Sequence, residues 1–201
     1  MQNARMNGDG IAWHTRLRSG ALQCQTSQMG AGMANGTATV LHRQAARGHS
    51  LIGAAQSAGA DPGPASYGRG GSAATVTDAH LMLGHLPESL LGGRMTLDRR
   101  LAQEAVGRIA QPLGLSLEKA ARGILAIANN NMVGAIRVVS VERGYDPRDF
   151  TLVPFGGAGP LHGCAIAELL GMRRILVPPS PGVLCAQGLL AADLKSDFTI
   201  S

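Results

Sequence analysis

Residues 150–178, FTLVPFGGAGPLHGCAIAELLGMRRILVP, carry the strongest fold signal in this chain. An apolar run over 150–155 meets a glycine-rich turn, then a helix with an apolar face that ends near Gly171, then a second apolar run over 174–178. A crossover through a single helix makes the two strands parallel, and parallel sheets are covered by helices. The sequence therefore predicts an α/β architecture.

Upstream, apolar residues at helical spacing predict three helices. One begins near Asp78, a good N-cap residue, although a short strand is the alternative there. A second begins at a cap on Thr96 and ends before Pro112, and a third, longer one follows Ser116. Residues 181–192 predict one further short helix.

Composition divides the 201 residues into two parts. Residues 1–56 are basic and lack sustained periodicity, so we expect an irregular, partly disordered segment. Residues 57–201 are expected to form the α/β domain, and a strand-like run over 197–201 makes that domain look incomplete. With only 3% aromatic residues, its core must be aliphatic.

Charge and cysteine usage exclude several classes of function. The net charge of +5 comes without a recognisable base-reading motif, so nucleic-acid binding is not expected. No apolar run is long enough to predict membrane insertion. Three widely spaced cysteines form neither a disulfide framework nor a zinc ribbon, which favours a reducing, cytoplasmic compartment. Two of them, Cys164 and Cys185, are expected to pack within helices.

The glycine turn is the best-motivated site. Gly156, Gly157 and Gly159 precede a helix N-terminus, where free N–H groups and the helix dipole bind phosphate. The alternative is a tight strand-to-helix connection that needs small residues. His162, in the first helical turn, is either an acid, base or phosphate donor, or a structural histidine.

Four other polar residues are candidates with an open assignment. Asp61 and Asp78 lie in turn-rich, apolar contexts, which suits a metal or base role, although turns and caps use the same residue. Asn129 and Asn131 lie on a mainly apolar helix and need partners, either backbone groups or a ligand.

Several catalytic motifs are absent from the sequence. No serine has the G-x-S-x-G context of a hydrolase nucleophile, and no histidines have zinc-helix spacing. His80 and His85 are five residues apart, too far round a helix to share a face.

Five strings together resemble the hydantoinase A/5-oxoprolinase family, which opens cyclic amides with ATP and includes subunits of acetone-type carboxylases. These strings are SAGADPGPASYGRGG (57–71), TVTDA (75–79), LGG (91–93), VERGYDPRD (141–149) and FGGAGPLH (155–162). The resemblance implies the second lobe of an actin-like, ribonuclease-H-like ATPase fold.

The same resemblance implies cofactors and site roles. ATP would contact Gly156, Gly157 and Gly159, while Asp61, Asp78 and His162 would be catalytic. Mg²⁺ would neutralise the transferring phosphoryl group, with Asp78 as its ligand. The substrate would be a small cyclic amide whose amide oxygen is phosphorylated before water opens the ring.

The chain departs from the family pattern in three respects. The two D-x-G-G-T phosphate loops that open the lobes are absent, Ser66 stands where members usually have Cys, and His80 stands where they usually have Asn. We therefore expect an enzyme fragment that needs the missing lobes or a complementary subunit and has little turnover alone. The alternatives are a carboxylase subunit and a non-catalytic remnant or interaction module.

Overall fold

The computed structural model describes residues 58–191 in full and only the backbone of two short strands, β1 (Ala4–Asn7) and β2 (Gly10–Trp13). The two strands pair antiparallel. Apart from these two strands, residues 1–56 lie outside the described residues, so the expectation of an irregular, partly disordered segment stays a prediction.

Helix α1 (Val76–Met82) begins at a complete capping box. The Oγ1 atom of Thr75 accepts from the backbone N–H of Asp78 at 3.1 Å, and the Asp78 carboxylate accepts from the N–H of Thr75 at 3.0 Å. This exchange satisfies two donors that a helix start leaves free. The predicted helix is confirmed, but Asp78 is its third residue and Thr75 is the cap.

Helix α2 (Arg99–Ala110) follows a small antiparallel ladder of β3 (Ser89–Leu90) and β4 (Met95–Thr96). The helix is confirmed, but its N-cap is Asp98, whose carboxylate accepts from two backbone N–H groups of the first turn. The predicted cap on Thr96 is wrong because that residue belongs to β4, opposite Ser89.

Helix α3 (Leu117–Val139) begins at the predicted cap, Ser116, and is the central element of the described fold. It packs against α1 and α2. The shared core is aliphatic, as predicted. It is rich in alanine, whose small side chain allows the helices to approach closely. Its buried members include Val76, Ala79, Ala105, Val106, Ala121, Ile124 and Ala128.

The fold-deciding stretch forms the predicted parallel arrangement on a smaller scale. Leu152 and Ile175 form a parallel bridge, with hydrogen bonds from Leu152 N to Arg174 O at 2.9 Å and from Leu176 N to Leu152 O at 2.8 Å. The bridge does not lengthen into a ladder in the described residues. Pro154, two residues after Leu152, has no N–H to donate.

Helix α4 (Gly159–Leu170) connects the two bridged segments and ends at Gly171, as predicted. It packs on the later half of α3, where Val133 meets Ile166 and Leu170. The described part of the chain is thus a helix-rich α/β fold. Helix α5 (Leu184–Leu190) confirms the predicted short helix.

Two further expectations concern a strand at the C-terminal end and the lack of a membrane-spanning run. The predicted strand over 197–201 lies outside the described residues. The segment Leu117–Arg143 is long and apolar enough to cross a membrane by length and composition, and an 18-residue window within it has a mean hydropathy of 1.4. Such a test is also passed by core helices, and α3 buries one face against three neighbouring helices.

Candidate functional site

The glycine turn leads directly into α4 and is open on its outer side. Gly156 adopts φ +81°, a left-handed conformation that favours glycine, and its N–H donates to the Pro181 carbonyl at 2.9 Å. In the described part of the chain, no backbone hydrogen bond uses the N–H groups of Gly157 or Ala158. No side chain caps the helix either. The turn therefore presents free donors at the positive end of a helix dipole.

The three predicted glycines differ in what they permit. A Cβ at Gly157 would meet nothing within 4 Å, so a side chain would fit there without disturbing the fold. A Cβ at Gly159 would lie 3.5 Å from the Pro154 carbonyl carbon. At Gly163, one turn further, it would lie 2.9 Å from Pro154 Cγ. The inner side of the turn is packed, whereas its outer side is free to accept an anion.

His162 points into the protein interior, away from solvent. Its side chain is buried, with 1% of the residue exposed. Its Nδ1 lies 2.7 Å from Asn129 Oδ1 on α3, and its Nε2 lies 3.3 Å from His80 Nε2 on α1. Both ring nitrogens therefore contact other side chains of the protein. This arrangement favours the interpretation of His162 as a structural histidine.

His80 joins a second histidine at its other ring nitrogen. Its Nδ1 lies 3.0 Å from the Nδ1 of His85, an exposed residue. The prediction that these two histidines do not share a helix face does not exclude this contact, because α1 ends at Met82 and the chain turns back before His85. Gly84, at φ +73°, reverses the chain so that His85 N donates to the His80 carbonyl at 2.9 Å, a Schellman-type helix end.

Burial sets the charge state of the two inner histidines. Burial, followed by the neighbouring His162 and His85, lowers the pKa of His80 from 6.5 to about 3. Burial, with a smaller contribution from His85, lowers the pKa of His162 to about 4. Both imidazoles are neutral at pH 7 because the interior disfavours the charged form.

Asp78 anchors the loop that precedes α1. Its residue is fully buried, with 0% exposed. Besides the two hydrogen bonds to Thr75, at 3.0 Å from N and 2.7 Å from Oγ1, its carboxylate accepts from Ser66 N at 2.8 Å and Ala65 N at 3.3 Å. Three of these donors bind Oδ2 and one binds Oδ1, an arrangement that suits a structural anchor.

The remaining predicted residues are dispersed. Asp61 is exposed in the loop before α1. Asn131 is partly buried on α3. The asparagine that contacts the histidines is Asn129. Cys164 and Cys185 are free and exposed, so the prediction that they pack within helices is wrong. Across the described residues, no three acidic, histidine or cysteine side chains are grouped to hold a metal ion.

The structure thus defines an α/β protein in which a glycine turn opens a helix N-terminus toward solvent. Residues 19–198 match the family described as hydantoinase/oxoprolinase, and the chain belongs to that family. It is 49% identical over 144 residues to the caprolactamase alpha subunit of Pseudomonas jessenii, covering 71% of this chain and 21% of that protein. It is 37% identical over 159 residues to a 5-oxoprolinase of Arabidopsis thaliana, covering 70% of this chain and 12% of that one.

Solved structures agree with the sequence relatives. The crystal structure of the ATP-dependent caprolactamase from Pseudomonas jessenii superposes with a TM-score of 0.69 at 46% identity, covering 76% of this chain and 22% of that one. Nucleotide-free acetone carboxylase superposes with a TM-score of 0.70 at 32% identity, covering 79% and 22% respectively. The chain therefore spans about one fifth of the length of these relatives.

Sequence reasoning missed the association of Asn129, His80 and His85 with His162. The available signal was Gly84, because a glycine that ends a helix in a Schellman motif brings the residue after it back toward the last turn. No local sequence signal indicated that His80 of α1 would contact His162 of α4.

Proposed function

We propose that this chain carries the phosphate-binding turn of an ATP-dependent hydrolase that acts on a small cyclic amide. The observation that carries the proposal is the open turn at Gly157, where unused N–H groups meet a helix N-terminus. The ATP dependence named for the caprolactamase relative supports it. Within the family, the second lobe of an actin-like ATPase fold is the arrangement that we propose for residues 57–201.

The turn's chemistry matches a nucleotide phosphate. Backbone N–H groups of Gly157 and Ala158 would donate to phosphate oxygens, and the dipole of α4 would favour their negative charge. The absence of a side chain at Gly157 leaves the space that such a group needs. Bound ATP would supply a phosphoryl group to the amide oxygen, which would open the ring carbonyl carbon to attack by water; the C–N bond of the ring would then break and the nitrogen would take up a proton.

The described residues do not fit a Mg²⁺ site of their own. Asp78 uses both carboxylate oxygens internally, and Asp61 is isolated and exposed. We therefore propose Asp78 as an anchor for the 58–75 loop and His162 as a positioning residue inside the fold, in place of the catalytic roles predicted for them. Mg²⁺ ligands and ring-opening groups would come from parts of the enzyme outside residues 58–191.

A second candidate is a subunit of an acetone-type carboxylase, favoured by the superposition on acetone carboxylase. The glycine turn would have the same phosphate role in either enzyme. The two candidates differ in substrate, so they separate in assays with complementary subunits, which measure either opening of a lactam or hydantoin ring or carboxylation of a ketone.

Nucleotide-dependent stabilisation tests the phosphate site on the 201-residue chain. A ligand that binds only the folded state raises stability, by about 2.7 kcal/mol at one hundred times its Kd. We expect ATP to raise the Tm of the wild-type chain and to lose this effect in Gly157→Asp, whose carboxylate would occupy and repel the phosphate position.

Matched variants separate local charge from general destabilisation. Gly134→Asp adds the same charge on α3, where a Cβ also meets nothing within 4 Å, and should keep the ATP-dependent shift. Gly157→Asn adds bulk without charge and should weaken the shift partially. An ATP shift that persists unchanged in Gly157→Asp contradicts the assignment, and no shift in any variant favours the non-catalytic remnant.

A further inference from the structure

A continuous row of hydrogen-bonded side chains consists of His85, His80, His162 and Asn129. It begins at the surface after α1, passes through α1 and α4, and ends on α3. The inner rings are almost completely buried, with 2% of His80 and 1% of His162 exposed. Because no part of the proposed phosphate chemistry uses these side chains, their arrangement calls for a separate account.

The direction of every hydrogen bond in this row follows from its inner end. Asn129 Oδ1 can only accept, so His162 Nδ1 carries the hydrogen and donates. In the neutral ring His162 Nε2 is then an acceptor, and His80 Nε2 must donate to it. His80 Nδ1 becomes an acceptor for the Nδ1–H of His85. A single amide oxygen thereby fixes the tautomers of three imidazoles.

Counting hydrogens shows how much charge the row tolerates. Each of its three contacts needs one hydrogen between its two atoms. His85 Nε2 is the one ring nitrogen of the row outside these contacts. An extra proton can bind there without placing two N–H groups against each other in a contact. The excess proton can be redistributed by shifting the hydrogens along the row, which ends at Asn129. A second excess proton places N–H against N–H and breaks a contact.

The groups around α1 supply no carboxylate to the row. Asp78 is occupied by its four hydrogen bonds and Tyr67 lies beside it, while Arg99 donates to the Met82 carbonyl at 3.2 Å. The other ionisable side chains of α2, α3 and α4 are exposed: Arg100, Glu104, Arg108, Glu118, Lys119, Arg122, Arg137 and Glu168. Within residues 58–191, the polar partners of the three histidine rings are therefore one another and Asn129.

We propose that His85, His80 and His162 act as one unit that holds a single proton, taken up from solvent at His85 Nε2, and that a second proton releases α4 from α1 and α3. The unit positions α4 because His162 lies in its first turn. The link between the position of α4 and phosphate binding rests on the proposed function. The number of protons that the row holds does not depend on it.

The lowered pKa values of His80 and His162 agree with this count, since both rings resist charging while His85 faces solvent. His80, His85 and Asn129 are accordingly positioning residues. They act on the glycine turn through His162 and do not contact the proposed phosphate.

NMR on the 201-residue chain with ¹⁵N-labelled histidine tests the unit directly. At pH 8 we expect His162 and His85 as Nδ1–H tautomers and His80 as the Nε2–H tautomer. As the pH is lowered, the three rings should bind one proton in total before any contact of the row breaks. His80→Gln and His85→Gln identify the signals. An Nε2–H tautomer at His162, or two protons bound above pH 5 in the folded chain, would overturn the proposal.

Positioning has its own readout in the same spectra. The backbone amide signals of Gly157, Ala158 and Gly159 should shift with the midpoint of the second proton and stay unchanged during uptake of the first. In Asn129→Leu, which lacks the acceptor, the His162 tautomer should no longer be fixed. Amide signals that ignore the second proton would refute the positioning role. Failure of ATP binding in the separate melting assay would leave both readouts intact.

Discussion

Acid should destabilise this protein through the two buried histidines, by an amount that follows from their surroundings. In the unfolded chain each imidazole has the ordinary pKa of 6.5, whereas in the folded protein the pKa is about 3 for His80 and about 4 for His162. The unfolded state therefore binds more protons below pH 6.5. Stability falls as the pH drops through 6.5 and continues to fall until the folded-state values near 4 and 3 are reached.

The size of the effect comes from the distance between pH 5 and the unfolded pKa. One pKa unit corresponds to about 1.4 kcal/mol, so each ring costs about 2 kcal/mol of unfolding free energy between pH 7 and 5. The two together amount to roughly 4 kcal/mol, a large part of the stability of a typical domain. Below the folded-state pKa values the loss levels off, because both states then carry the protons.

Urea unfolding at pH 7 and pH 5 measures this loss. His80→Gln is the informative variant, since it removes one buried imidazole and keeps an amide that donates and accepts. Its loss between the two pH values should be about 2 kcal/mol smaller than that of the wild-type chain. Histidines outside the row contribute equally to both proteins and cancel in the difference. Equal losses in the two proteins would refute the assignment of the acid sensitivity to the buried row.

Three further predictions concern the packing around the site. Asp78→Ala should lower the unfolding free energy by about 3 kcal/mol or more in urea, because four buried donors lose their acceptor; a change below about 1 kcal/mol would contradict the anchor role. Ser66→Ala should be neutral or stabilising by up to about 1 kcal/mol, since the buried Ser66 Oγ has no partner, and a clear loss in the same measurement would reveal one. Gly163→Ala should lower the Tm because its Cβ would lie 2.9 Å from Pro154 Cγ, whereas Gly157→Ala, with open space around it, should leave the Tm nearly unchanged; equal effects would contradict the packing.

Local signals in the sequence were sufficient for the helices and the turn. The cap at Ser116, the stop at Gly171 and the glycine turn at 156–159 depend on residues within one or two turns of each other, so their chemistry is readable along the chain. The cap of α2 was predicted at Thr96, whereas Asp98 is the N-cap in the structure. The pairing of Thr96 with Ser89 in a strand decided between them.

The role of Asp78 shows the limit of composition as a guide to chemistry. An aspartate in a turn-rich context suits a metal, a base or a cap equally well. The choice depends on which donors surround the carboxylate, and here Ala65 and Ser66, more than ten residues away, supply two of them. Four donors from the chain favour the anchor role for this carboxylate.

The sequence by itself determined the family, the aliphatic core, the helix-rich α/β plan and the glycine turn, because each of these is written in motifs or short-range periodicity. Only the tertiary structure decided the partners of His162. Asn129 comes from α3, His80 from α1 and His85 from the turn after it, and the packing of three helices brings them within hydrogen-bond distance. Once they are buried there, exclusion of water sets their charge and one amide oxygen sets their tautomers, which no reading along the chain contains.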